Sequence, residues 1–216
     1  MKKILVLATC VVLLLAGAAQ ADQLTIGAHY TKIAFVENNI NVLLGGGSFD
    51  IANWNGTPLN FIYCVDLYHY ISLNTMYGTA TGTATGFING SRINNAGQVA
   101  WLLDHYGTGG NGVGAYALQA AIWHVIYDSP EHAYGIRSIS GNELAVAAYN
   151  AMLADLDSQT DKTGNIFSYL WITPSASNNV QGQVASIHPV PEPGTMVLLG
   201  TGLVGLAGWG RKRFRK

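Results

Sequence analysis

Charge is what this sequence has least of. Charged residues make up 11% of 216, with eleven Lys and Arg against twelve Asp and Glu. Seven of the eleven basic residues lie at the two ends. Between 22 and 190 only Lys32, Arg92, Arg137 and Lys162 remain, against eleven acidic residues. The body of the chain is therefore acidic, and with no basic patch it excludes nucleic acid as a partner. Cysteine is as scarce: there are two, Cys10 and Cys64, so no disulfide framework can hold the fold. His69, His105 and His132 lack metal-ligand spacing, and neither a metal nor another cofactor is expected. There is no G-x-S-x-G element, phosphate loop or credibly spaced carboxylate pair, so no turnover enzyme is indicated. What the chain does have is 26 glycines, 11 tyrosines and 49% hydrophobic residues, a composition that points to an extracellular, β-rich protein.

Both ends read as targeting segments. "MKKILVLATCVVLLLAGAAQA" has two lysines, an apolar run and Ala19 and Ala21 flanking Gln20, the pattern of a secretory signal peptide over 1–21. Cys10 lies within the apolar run and would leave with it, making Cys64 the one cysteine of the mature chain. At the other end, Gly194 to Gly210 is an uncharged stretch of 17 residues, short for a transmembrane helix, and five of the six residues after it are basic. By hydropathy alone this is a single-pass anchor. Pro191, Glu192 and Pro193, then the Gly-rich span and the basic tail, resemble the PEP-CTERM sorting signal of Gram-negative bacteria. That resemblance implies export, an exosortase-type processing enzyme as a partner, inner-membrane anchoring in transit, and a final place at the cell surface or in a biofilm matrix. The expected domains are thus 1–21, 22–188 and 189–216.

Within 22–188 the pattern changes period. "LTIGAHYTKIAFV" and "FIYCVDLYHY" are strand-like, and "NWNGTPLN" supplies a turn. "YGTATGTATGFING" reads as a flexible loop or a pair of edge strands. "INNAGQVAWLLDHYG" then predicts a helix ending at Gly107, and "VGAYALQAAIWHVIYDSP" a second, with Leu118, Ile122, Val125 and Ile126 on one side and Pro130 as its stop. "SGNELAVAAYNAMLADLD" predicts a third, opened by a Ser140–Glu143 capping box. "NIFSYLWITP" and "NVQGQVASIHPV" return to strands. The expected class is α+β: a β-barrel or β-sandwich with a helical insertion of about three helices, besides the N-terminal signal helix and the C-terminal transmembrane helix.

A lone thiol in an oxidising compartment should be buried, paired between chains, or chemically committed. Two stretches favour the last. Tyr63-Cys64-Val65 and Leu118-Gln119-Ala120-Ala121-Ile122-Trp123 together resemble the thioester domains of bacterial surface adhesins, over residues 25 to 187. In that family a cysteine after an aromatic residue joins a glutamine that opens a helix. Many members carry Thr before the glutamine, where this chain has Leu118. The resemblance implies an internal Cys64–Gln119 thioester, formed with loss of ammonia and opened once by a nucleophile on a partner. That nucleophile would be a protein lysine amine, or a hydroxyl such as a polysaccharide offers.

A primary amide is a poor electrophile, and a thiol of pKa about 8.5 is mostly protonated at neutral pH. Fixing both groups on rigid elements can supply effective molarities of roughly 10⁵ M or more. Donors aimed at the carbonyl oxygen would stabilise the tetrahedral intermediate. Phe61, Tyr63, Tyr116 and Trp123 are the neighbours suited to shield the bond. Asp66 could orient a donor or simply close the strand end. His124, about 140° round a helix from Gln119, need not face the site at all. Two other readings stand beside covalent attachment. One is a non-covalent matrix or adhesion protein whose Cys64 is merely buried; the other is a Cys–His hydrolase.

Overall fold

Some strands of this chain alternate with period two, and others are buried on both faces. The computed structural model describes residues 21–28, 31–37, 40–46, 49, 52–110, 112–139 and 142–186. The predicted signal segment (but for Ala21), the predicted transmembrane helix and Pro191-Glu192-Pro193 lie outside them. The chain divides into two compact units, Met1–Ser186 and Ile187–Lys216, and the fold described is that of the first. Among the described residues no helix is long and apolar enough to cross a membrane.

Strand β1 (Asp22–Ile26) buries Leu24 and Ile26 and turns Gln23 outward, as alternate residues of a strand must. It lies between β4 (Asn53–Trp54) and β7 (Thr75–Thr83) in a seven-stranded antiparallel sheet. With β5 (Thr57–Pro58), β6 (Ile62–Cys64), β11 (Tyr169–Thr173) and β12 (Gln183–Ser186), the order is β5-β4-β1-β7-β11-β12-β6. The sheet is a curled half-barrel, with β5 and β6 at its edges. β4 and β5 are joined by Asn55-Gly56, both at positive φ (51° and 78°), the tight hairpin that Asn-Gly specifies. A second sheet orders β10 (Tyr134–Ile139), β2 (Thr31–Glu37) and β3 (Ile40–Gly46), and β8 (Phe87–Ile88) pairs with β9 (Ser91–Arg92).

Two expectations change here. The Gly/Thr stretch is neither a loop nor an edge: β7 is the central strand of the large sheet. Threonine suits a pleated surface, and glycine is needed where neighbours press in. A Cβ on Gly82 would lie 2.6 Å from Leu170 Cδ1 and 2.9 Å from Trp54 Cζ2. The three helices are also not consecutive, because β10 intervenes between the second and third.

Helix α1 (Ala96–Tyr106) stops at Gly107 as predicted; a Cβ there would lie 2.4 Å from Leu103 O and 2.8 Å from Phe61 Cε1. Helix α2 (Val113–Tyr127) ends before Pro130, with Asp128 N–H donating to His124 O. It is not one-sided. Leu118, Ile122 and Trp123 are fully buried, and so are alanines on the intervening faces. The cause is its central place, in contact with α1, β10, β6 and helix α3 (Glu143–Ser158). Full burial of each large side chain is worth about 1.5–3 kcal/mol. Helix α3 buries Ala145, Tyr149, Met152 and Leu156, a stripe at spacings of four and three. Its cap is Asn142, whose side chain accepts from Ala145 N at 3.2 Å, rather than the predicted Ser140, which lies outside the described residues.

Candidate functional site

Cys64 closes β6, a strand at the edge of the large sheet. One side of β6 pairs with β12, in the register Cys64 opposite Gln183 and Tyr63 opposite Val184. The other side would leave the Cys64 backbone groups bare, a cost for any buried edge. The Gln119 carboxamide from α2 fills that role. Its Oε1 accepts from Cys64 N–H at 2.8 Å, and its Nε2 donates to Cys64 C=O at 2.7 Å. A glutamine with no solvent exposure is tolerated because both ends of its amide are matched.

The hydrogen-bond pattern also fixes the sulfur's surroundings. Since the Cys64 N–H and C=O point to Gln119, Cys64 and Gln183 form a cross-strand pair without mutual backbone bonds, the arrangement that brings side chains closest. The thiol donates to Gln181 Oε1 at 3.0 Å. Gln181 Nε2 in turn donates to Asp66 O at 2.7 Å, and Gln183 Nε2 to Gln181 O at 3.1 Å. Three buried glutamines thus surround Cys64: Gln119 on the backbone, Gln181 on the sulfur and Gln183 across the strand pair. Between the last two, Gly182 is obligatory, because a Cβ there would lie 2.1 Å from Ile88 Cγ2.

Burial pushes the thiol pKa up to about 12; the polar Gln183 side chain on the facing residue partly offsets the rise, and the Asp66 charge adds to it. At neutral pH Cys64 is a thiol, consistent with its donating to Gln181. Nearby, Tyr127 holds the chain as it leaves β6: its hydroxyl accepts from Leu67 N at 2.9 Å, and burial raises its pKa.

The other sequence-derived candidates separate clearly. Trp123, fully buried, and Tyr116, partly buried, lie one turn either side of Gln119 on the same face of α2. Tyr63 does not shield the sulfur. Adjacent strand residues face opposite ways, so its ring packs with Phe61 (centroids 5.7 Å apart) and its hydroxyl donates to Thr108 O. Asp66 is a strand-end residue. Its carboxylate accepts from Tyr68 N at 3.0 Å and pairs with His69 Nδ1 at 2.6 Å; its backbone carbonyl makes its hydrogen bond to the site, through Gln181, while its charge acts on the sulfur without contact. His124 belongs to the packing of α2 on α3: its Nδ1 lies 3.0 Å from Tyr149 Oη and its Nε2 3.8 Å from Asp128 Oδ2. Burial lowers its pKa, against the opposing pull of Asp128.

Gln181 and Gln183 are site residues that sequence alone does not single out; the available signal is a pair of glutamines, one just before β12 and one opening it, both buried at the start of an apolar run. A cleft of about 400 Å³ at the end of α2 is lined by Tyr68, Tyr127 and His132, but not by Cys64 or Gln119.

No curated protein and no solved structure matches the chain. The profile of the PEP-CTERM protein-sorting motif matches residues 189–213, which include Pro191, Glu192 and Pro193, the short apolar span and the first basic residues after it. The chain therefore carries a PEP-CTERM sorting motif, the mark of an exported protein that is handled by an exosortase-type enzyme in membrane-associated transit to the cell surface.

Proposed function

We propose that this exported protein forms an internal thioester between Cys64 and Gln119 and uses it once, to attach covalently to a nucleophile on a surface or matrix partner. The observation that carries the reading is the Gln119 amide bound at both ends to the backbone of the cysteine, within a site closed to solvent. The Cys64 N–H that bonds Gln119 Oε1 is a donor aimed at the carbonyl oxygen that becomes negative during attack. Donors so placed are worth about 10²–10³ in rate. The second bond, to Nε2, holds the amide plane still, so that approach costs little further entropy.

In the forming step, Cys64 Sγ bonds to Gln119 Cδ and the Cδ–Nε2 bond breaks. The thiol proton leaves with that nitrogen as ammonia. With a thiol pKa near 12 there is no standing thiolate, so proton transfer accompanies attack. In the coupling step a partner amine or hydroxyl attacks Cδ, the C–S bond breaks, and the proton returns to sulfur. The matrix reading of the destination rests on the sorting motif alone.

The same burial and raised pKa favour one competing reading, a structural thiol in a non-covalent adhesion protein. Intact mass of the purified protein decides between them. The wild type is expected one ammonia lighter than its sequence requires, with Cys64→Ala at full mass and methylamine adding only to the wild type. Full mass in both proteins would refute the thioester.

A further inference from the structure

Gln183 Oε1 is fully buried and has no hydrogen-bond partner among the described residues. Gln183 lies directly across from Cys64, in the cross-strand pair that brings side chains closest. Buried acceptors without a partner are rare in native proteins, and a role in binding or catalysis is one recognised reason for keeping one. Gln181 Oε1 is in a related position: its donor is the thiol hydrogen, which the thioester proposed above removes. In the bonded state two glutamine oxygens would face the reacting carbon without donors.

We infer that Gln181 and Gln183 form an acceptor pair for the N–H groups of a primary amine, so that the site selects amines over hydroxyls. This rests on the thioester reading and deepens it. A neutral primary amine brings two N–H donors on the attacking atom, and a hydroxyl brings one. When the amine nitrogen bonds to Gln119 Cδ and the C–S bond breaks, one nitrogen proton passes to sulfur. The regenerated thiol again donates to Gln181 Oε1. The product is a secondary amide with one N–H left, which Gln183 Oε1 accepts. An ester product has no such hydrogen and leaves Gln183 Oε1 orphaned again.

The test uses the full chain and an equimolar mixture of methylamine and methanol, with the two adducts counted by intact mass. Gln183→Met, close in size but without the acceptor, is expected to keep the one-ammonia deficit and to lower the amine-to-methanol adduct ratio about tenfold, the scale of one lost hydrogen bond. Should Gln183→Met fail to give a cooperative melt, Gln183→Asn, which withdraws the amide by one methylene, carries the same expectation. A variant that keeps the deficit with an unchanged ratio overturns the acceptor pair and leaves the thioester standing. A wild type without the deficit removes the thioester itself, and the pair with it.

Discussion

Helix α2 places two polar side chains five positions apart, and they end in opposite circumstances. Gln119 is sealed from water with its amide matched to the β6 backbone. His124, roughly 140° further round the helix, is half-buried against Tyr149 and near the Asp128 carboxylate. The difference lies in what each group can do when dry. A carboxamide carries a donor and an acceptor but no titratable charge, so it can replace a missing strand at a sheet edge. An imidazole can take a proton, and the helix leaves it at a border where water and a carboxylate remain in reach. The corner around the thiol is built from neutral amides, and the one charge that acts on the sulfur, Asp66, opposes ionisation.

The sharpest way to break this comparison is to remove each member of the first pair. Cys64→Ala and Gln119→Ala should both restore full mass, but their stabilities should differ widely. Cys64→Ala keeps the backbone bonds to Gln119. Gln119→Ala orphans a buried N–H and a buried C=O, at about 1–3 kcal/mol each, besides leaving a cavity. Thermal melts followed by circular dichroism should rank Gln119→Ala as the less stable by roughly 3 kcal/mol; equal melting temperatures would mean the amide clamp is not formed.

A smaller effect is expected from Gly182→Ala. Its new Cβ would lie 2.1 Å from Ile88 Cγ2, so β12 and Ile88 must move apart by about an ångström, at a cost of roughly 1–3 kcal/mol. The shift carries Gln183 with it, and the amine-to-methanol adduct ratio should fall while the one-ammonia deficit stays. An unchanged ratio would show that the preference for amines does not depend on where Gln183 sits.

The least effect belongs to the other side of α2. Burial lowers the His124 pKa from 6.5, so the unfolded chain takes up a proton that the native one resists. That contribution to stability is present above pH 6.5 and is lost as pH falls toward the lowered native value. Melting temperatures between pH 7 and pH 5 should therefore fall less steeply in His124→Gln than in the wild type, and the mass deficit should be the same in both. A deficit that disappears in His124→Gln would join the two halves of the comparison in one site.

Much of the fold was legible because local chemistry and tertiary place agree. The Asn55-Gly56 hairpin, the stop of α1 at Gly107 and the strands around Trp171 and Val184 follow from turn residues and period. β10 escaped because its alternation is broken. Tyr134 and Ile139 are its buried residues, five apart, with an irregularity in pairing between Ile136 and Ser138. β7 looked like a loop because glycine and threonine carry little apolar signal, and only the crowding of Gly82 by Leu170 and Trp54 explains its central position. Among the site residues, Cys64 and Gln119 stood out by scarcity and by resemblance. Tyr63 was misjudged as a shield, since adjacency in a strand means opposite faces.

Periods, turns, the scarcity of cysteine and the sorting motif are all written in the sequence, because each is carried by neighbouring residues or by composition. Tertiary structure alone decided that Gln119 meets the Cys64 backbone and that Gln181 and Gln183 close round Cys64. Those contacts span 55 and more than a hundred positions. They depend on which strand lies beside β6 and which helix covers its edge, and no local propensity encodes a choice of that kind.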